Sequence, residues 1–383
     1  MPVEVECTSV SASTTLTMSQ HILLCLPLLL LLLLLQATVS TGLPGVVVDT
    51  KVGSTRTKAL FETFMATFGK VYLDPSENAT RFAIFSENVM RVAAMNAADP
   101  HATFSVLTPW ADMTPEEYSK MHGLVTSETS PRSDPGLPCQ FAKKGKVPML
   151  TPTAVPRSSL DYVALGATVP VKNQGKCGSC WAHGTTAVVE SRMKLETGNI
   201  TSLSEQYLMD CDPARVCQGC CGGLPERAIQ WLAGDSGGLP REGQGIASEA
   251  DYPYVSGSGT DPSAGHCNSS PPLVAKLKGF GVLAKPSATS VVSATTQYGV
   301  LATSMDSRVL QLYKSGIITN SQVCSGSNHI VAIVGYGTEG GVDYLKVRNS
   351  YGTQFGEDGY FRISYQAAKN CGFYSCVIAG TDG

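Results

Sequence analysis

Thirteen cysteines constrain this 383-residue chain more than any other feature. So many thiols suit an oxidising compartment, where they become a disulfide framework, better than the reducing cytosol. The N-terminus agrees. Residues 22–35 are almost unbroken apolar, interrupted only by Cys25 and Pro27. That run is short for a membrane span and suits a secretory signal core, with Ala37-Thr38-Val39-Ser40 as a small-residue cleavage zone. No Lys or Arg precedes it, whereas Glu4 and Glu6 do, so Met18 is the expected functional start. The chain is expected in the secretory pathway, exported or held in an acidic, lysosome-like compartment, with no stable membrane span once the signal is removed.

A formal net charge of -3 provides no basic footprint, so nucleic acid is not an expected partner. Behind the leader, Phe61, Phe64, Phe68 and Tyr72 recur at helical spacing and predict a helix over 57–72, with Gly69 near its end. Asp74-Pro75-Ser76 starts a second helix that reaches Asn96. On it Glu77, Arg81, Phe85, Asn88, Val92 and Asn96 form one stripe at steps of three and four. A solvated helix with a Glu–Arg pair explains part of that stripe, but not its regular mixture of aromatic and amide groups. Residues 127–156 turn to Ser, Pro, Gly, Thr and Lys, which reads as an exposed linker open to proteolysis. The expected division is a signal over 1–40, a helical N-terminal unit and linker over 41–154, and a globular unit over 155–383. That unit has a helical first half and a strand-rich second half, with strands expected at 330–335, 344–348 and 360–364. An α+β unit of two lobes with a cleft between them follows.

The stretch "QGKCGSCWAH", residues 174–183, sets two cysteines three apart and a histidine three further on. A redox pair would want a thioredoxin-like βαβ setting, which is not evident. Zinc is a minority reading: Cys211, Cys217, Cys220 and Cys221 crowd with Cys177 and Cys180, but without two clean knuckles. A nucleophile uses more of the surroundings. Ser179 can cap a helix running from Cys180 to Thr197 and stopping at Gly198, which puts Cys180 where backbone N–H groups favour a thiolate. Six histidines compete as proton acceptor. His21 lies in the leader, His101 and His122 in the N-terminal unit, His183 on the helix of Cys180 itself, and His266 in a loop. His329 opens the buried-looking run "HIVAIVGYG", and Asn349 in "RNSYGTQFGEDGYFRI" can orient its ring. Alone, His329 is more simply a core histidine; with Cys180 and Asn349 the chemical reading is stronger.

"VPVKNQGKCGSCWA", "LSEQYLMDCD", "CCGGLP", "NHIVAIVGYG" and "RNSYGTQFGEDGYFRI" resemble papain-family cysteine proteases in order and spacing, from about Leu160 onward. The stripe on the second helix is similar to the family's ERFNIN prosegment signature, with Val92 in place of the usual isoleucine. "FSVLTPWADMTPEEY" resembles the following prosegment motif in the form common among trypanosomatid cathepsin-L-like enzymes. The resemblance implies a papain-like two-lobed α+β fold, with a helical left lobe and a β-barrel-like right lobe, preceded by a helical inhibitory prosegment. It implies Cys180 as nucleophile, His329 as general base and acid, Asn349 as the orienting amide and Gln174 as an oxyanion donor. It also implies disulfides Cys177–Cys220, Cys211–Cys267 and Cys324–Cys371, so that Cys177 is a staple beside a nucleophile. Cys217, Cys221 and Cys376 fall outside that pattern, and Cys139 falls in the linker.

Further expectations rest on the same resemblance. Gly222, Gly223, Leu224, Pro225, Thr303, Ser327, Asn328 and Cys376 correspond to the substrate cleft. Leu224 and Pro225 imply an apolar P2 residue, and no histidine-bearing occluding loop is visible, so endopeptidase action is expected. Expected partners are protein and peptide substrates, the chain's own prosegment and cystatin-like inhibitors, acting on a monomer; no cofactor or metal is called for. Asp112, Glu116 and Glu117 are candidate acid triggers for prosegment release. The mature N-terminus is expected between Thr151 and Ser159. Tyr351, Phe355 and Tyr162 stand where the family has tryptophans, implying reduced shielding of the Asn–His bond. His183 replaces a phenylalanine, as in cathepsin-X-like enzymes, and a structural bond to a backbone carbonyl is its expected role. Sequons start at Asn78, Asn199 and Asn268. The rival functions are a catalytically silent binding protein of the same fold and a zinc module.

Overall fold

In the computed structural model the aromatic spacing yields two helices, α1 (Thr50–Phe68) and α2 (Pro75–Ala98). The structure describes residues 50–120, 147–211, 219–234, 245–258 and 267–383, with side chains from Thr55 onward except that of Cys221. The leader, most of the linker with Cys139, His122, Cys217 and His266 lie outside the described residues. Residues Arg56–Gly383 form one unit and Met1–Thr55 another. Helix α1 stops as Gly69 takes a φ of 61°, a conformation a Cβ would oppose. Helix α2 starts where the Asp74 carboxylate accepts the Ser76 N–H, with Pro75 in the first turn.

Each stripe residue has a separate task. Phe85 is fully buried against Phe61 and Phe64, with ring centroids 5.2 Å apart in both cases. Arg81 pairs with Glu117 at 2.9 Å, and Asn88 Nδ2 donates to Ala111 O and Met113 O. Asn96 brackets the Phe104 backbone through both its amide atoms. Those bonds position strand β1 (Ala102–Phe104) and helix α3 (Pro115–Ser119), which opens on a reciprocal capping box of Thr114 and Glu117.

The rest of the chain runs β2 (Met149–Leu150), β3 (Leu160–Asp161), α4 (Cys180–Thr197), α5 (Glu205–Cys211), α6 (Pro225–Leu232), β4 (Ile246–Ala247), β5 (Leu273–Ala275) and β6 (Gly279–Leu283). It continues through α7 (Ala288–Tyr298), β7 (Leu301–Met305), β8 (Tyr313–Ile318), β9 (His329–Glu339), β10 (Val342–Arg348), β11 (Tyr360–Ser364), α8 (Tyr365–Asn370) and β12 (Val377–Thr381). The main sheet is ordered β1-β8-β11-β10-β9-β7-β12-β6-β2, with β3 attached to β9. Among the described residues the sheet is an open path and does not close on itself. Its two ends are occupied by short strands from the N-terminal part of the chain, β1 on β8 and β2 on β6. The linker expectation fails at its C-terminal end, where Val147 is buried and Met149 and Leu150 pair with Val282 and Leu283. The few apolar residues there outweigh the surrounding turn formers.

Helices α4, α5 and α6 form one apolar core around Trp181, Leu208 and Ile229, while the sheet encloses another around Tyr313, Phe355 and Phe361. Helix α4 lies directly on β9. A Cβ at Gly184 would sit 2.5 Å from Ile330 Cγ2, so glycine is what permits that approach. The approach sets the N-terminus of α4 beside the first residues of β9. Cys177–Cys220, Cys211–Cys267 and Cys324–Cys371 are disulfides, and Cys376 is disulfide-bonded as well. Sulfurs engaged in this way cannot serve as zinc thiolates, which removes the basis of the zinc reading. Among the described cysteines the one free thiol is Cys180.

Candidate active site

Cys180 is the first residue of α4 and is fully buried. Its sulfur lies within hydrogen-bonding reach of the backbone N–H of Ile330, the residue immediately after His329. Burial pushes the thiol up to about 12, opposed by the N–H groups of Ile330, Trp181 and Cys180 itself. Ser179 does not cap the helix through its side chain, contrary to the local pattern. Its hydroxyl instead shares a 2.6 Å hydrogen bond with Tyr254, from 75 residues downstream, whose hydroxyl also donates to Gln174 O.

His329 is fully buried, and its Nε2 lies 2.8 Å from Asn349 Oδ1. The same Oδ1 accepts the Ser350 backbone N–H at 2.8 Å. A backbone N–H can only donate, so the amide atom between them is the oxygen and His329 Nε2 must carry the proton. The basic lone pair therefore belongs to Nδ1. Burial lowers His329 to about 4; the Asn349 bond opposes this and nearby His183 adds to it. Burial thus works against the charged form of both groups. Tyr351 stacks on the imidazole with centroids 5.0 Å apart and planes 18° from parallel. Trp110 and Phe355 pack on Tyr351 in turn, at 5.0 and 5.6 Å. Aromatic cover at this position is thus retained without a tryptophan at 351, and part of it comes from the N-terminal segment.

Gln174 is buried beside them. Its Oε1 accepts from Ser350 Oγ at 2.5 Å and its Nε2 donates to Cys177 O at 2.9 Å, which leaves the second N–H of the amide. Ser350 therefore joins Asn349 to Gln174, a link that only its place in "RNSYG" hinted at. His183 directs Nδ1 at Ser179 O, 3.0 Å away, and meets Tyr254 edge-on.

The expected cleft residues divide. Gly222 has a φ of 121°, and a Cβ on Gly223 would lie 2.5 Å from Trp181 Cδ2, so this backbone lies against the indole. Leu224 and Pro225 begin α6 and are buried. Thr303 Oγ1 lies 2.6 Å from Phe373 O and 2.8 Å from Cys376 O, which turns the hydroxyl to backbone. Cys376 is 1% exposed and offers no free thiol. Asn328 Oδ1 accepts the Ser307 N–H and hydroxyl, and Ser327 is half-buried.

Residues 156–381 match the papain family cysteine protease domain. The chain belongs to the papain family of cysteine proteases. Residues 61–118 match the cathepsin propeptide inhibitor domain (I29), so this is a protease precursor that carries its own inhibitor. It is 32% identical over 323 residues to a cysteine proteinase of Trypanosoma brucei brucei, covering 83% of this chain and 66% of the relative. Cysteine proteinase A of Leishmania mexicana is 30% identical over 84% of this chain and 85% of its own. Among solved structures, digestive procathepsin L 3 of Tenebrio molitor larval midgut superposes with a TM-score of 0.68 at 30% identity, covering 85% of this chain and 99% of that one.

Within this papain-family precursor, two clusters of side-chain hydrogen bonds join the inhibitor segment to the protease, besides the β1–β8 pairing. Gln311 donates to Trp110 O and Met113 O, accepts from Thr108 Oγ1 at its own carbonyl, and takes Arg91 on its side-chain oxygen. Asp99, fully buried, accepts the N–H groups of Thr319 and Asn320 at 2.7 and 2.9 Å and the Thr319 hydroxyl at 2.6 Å. No helix among the described residues is long and apolar enough to cross a membrane.

Proposed function

We propose that the activated protein is an endopeptidase in which Cys180 is the nucleophile, His329 the proton carrier, Asn349 its orienting partner and Gln174 an oxyanion donor. The observation that carries this reading is the Cys180 sulfur beside the Ile330 N–H, with the preceding His329 held by Asn349. Opening of the cleft rehydrates both groups, so that the Sγ proton can pass to Nδ1. The thiolate then attacks the peptide carbonyl carbon, while the Cys180 N–H and the remaining Gln174 N–H receive the oxyanion. His329 returns the proton to the leaving amine. Water, deprotonated by the same imidazole, hydrolyses the thioester and regenerates the thiol.

Leu224 and Pro225 support an apolar P2 preference. Acid release of the inhibitor segment draws on Glu117. Asp112 accepts from Lys70 at 3.0 Å and Tyr72 at 2.5 Å. Burial raises the Glu117 carboxyl, but the Thr114 N–H and Arg81 outweigh it and hold it below the usual range. A carboxylate so depressed stabilises the docked state above its unfolded value, and the contribution is lost as pH falls through the folded one. The enzyme acts as a monomer, is open to cystatin-like inhibitors, and works in the secretory pathway, outside the cell or in a lysosome-like compartment. Its mature N-terminus lies between Thr151 and Ser159. Acid activation followed by an irreversible thiol-directed epoxide and N-terminal sequencing tests the reading. One label per chain on Cys180 with peptide cleavage supports it; an unlabelled, inert product supports the silent binding protein.

A further inference from the structure

We propose that His183 is a positioning residue that anchors the Asn349 carboxamide through a single buried water. The inference rests on the reading of Asn349 as the group that orients His329. Behind the catalytic residues lies a cavity of about 10 Å³, lined by Lys172, His183, Glu205, Arg348, Asn349 and Ser350 together with apolar atoms. That volume accommodates one water centre.

The polar lining divides sharply by available valence. Glu205 receives Lys172 on both oxygens and Thr186 on one. Lys172 spends its three donors on Glu205, Glu190 and Leu203 O. Arg348 donates to Pro170 O and faces Glu190 at 3.5 Å, and the Ser350 hydroxyl donates to Gln174. Asn349, His183 and the Arg348 Nη1, which faces Glu190 without a hydrogen bond, remain. Asn349 is 3% exposed, its Oδ1 already accepts twice, and its Nδ2 has no hydrogen-bond partner among the described residues. His183 Nδ1 faces a carbonyl oxygen, which can only accept, so Nδ1 bears the proton and Nε2 is the ring's acceptor, on a side chain that lines the cavity. An unmet donor and an unmet acceptor on one water-sized space are complementary. Water accepts from Asn349 Nδ2–H and donates to His183 Nε2.

The groups facing His183 are compatible with that neutral tautomer. Burial lowers its affinity for a second proton; Glu205 on α5 opposes this, while Lys172 and Arg348 add to it. Glu190 on α4 itself is neutralised by Lys172 and Arg348, and Tyr254, Cys180 and His329 complete the surroundings. Pinned by Ser350 N–H at one end and by water at the other, the carboxamide keeps Oδ1 aligned with His329 Nε2–H, the bond that favours the imidazolium.

Two variants of the full precursor, acid-activated, separate positioning from mere packing. His183→Asn keeps a donor for Ser179 O but stops short of the cavity; His183→Gln extends an acceptor into it. Expected is near wild-type kcat for His183→Gln. For His183→Asn, kcat falls about tenfold at unchanged KM, the worth of roughly one hydrogen bond, and the basic limb of the pH profile moves down by about one unit. Retention of kcat and of the basic limb in His183→Asn, or an equal loss in His183→Gln, overturns the proposal. So does a high-resolution structure with a dry cavity or with Asn349 Nδ2 bonded elsewhere, whatever the variants do. Epoxide labelling of wild-type Cys180 is measured alongside: its absence would defeat the catalytic reading itself, whereas labelling with unaltered variants defeats only the bridge.

Discussion

Replacing Lys172 by Met tests the buried ionic cluster beneath helix α4. Lys172 Nζ lies 2.8 Å from Glu205, 3.0 Å from Glu190 and 2.6 Å from Leu203 O. Both glutamates have side chains only 1% exposed, so neither has water to replace the lost partner. Glu190 would retain the Leu203 N–H and Arg348 at 3.5 Å; Glu205 would retain the Thr186 hydroxyl. Removing one member of such a pair costs about 3–5 kcal/mol, because a charge stays buried without compensation. For a domain of this size that lowers Tm by about 6–20 °C. The pH dependence carries the sharper signature. Burial raises the Glu205 carboxyl, yet Lys172 and the Thr186 hydroxyl outweigh it and hold it low. A depressed carboxylate contributes stability above its unfolded pKa, and that contribution disappears as pH falls through the folded value. Without Lys172 burial wins, the Glu205 pKa rises, and the deficit is greatest at neutral pH. It shrinks once acid protonates Glu205. The assay is urea unfolding of the mature enzyme, with Cys180 blocked, at pH 7.5 and pH 4.5. A deficit below about 1 kcal/mol at pH 7.5, or one that grows on acidification, would refute the argument.

Gln174→Ala should lower kcat by about 10²–10³ while leaving epoxide labelling of Cys180 intact, the usual effect of losing one oxyanion donor; steady-state kinetics with a peptide substrate decide. Asp99→Asn puts an amide where three donors from the protease converge on a buried carboxylate, and should loosen the inhibitor segment by about 1.5–3 kcal/mol. Its precursor should therefore activate at least about tenfold faster at a fixed mildly acid pH, and an unchanged processing half-life would count against the clamp. Gly184→Ala drives a methyl to 2.5 Å from Ile330 Cγ2 and should cost about 1–3 kcal/mol by overpacking. Because α4 must then lift from β9, kcat/KM should fall more steeply than thermal stability; equal, small losses would show that the contact does not set the Cys180–His329 approach.

The one-dimensional pattern determined a good deal here. Local rules fixed the end of α4 at Gly198, which takes a φ of 76°, the start of α2 at Asp74 and Pro75, and the inward face of the Phe85 stripe. These depend on neighbours within a turn or two. Other decisions required partners far away in the chain. Ser179 reads locally as a capping side chain, but Tyr254 takes its hydroxyl. Cys180 at a helix tip reads as a thiolate, but complete burial pushes the thiol up and opposes that charge. Thr303 reads as a cleft residue, yet its hydroxyl is directed at the Phe373 and Cys376 carbonyls just before β12. The pairing of β1 with β8, more than 200 residues on, and the water-sized space between His183 and Asn349 have no local signal. Hydrogen-bond geometry and desolvation are set by distances of a few ångströms between elements, and those distances exist only once α4 has settled onto β9.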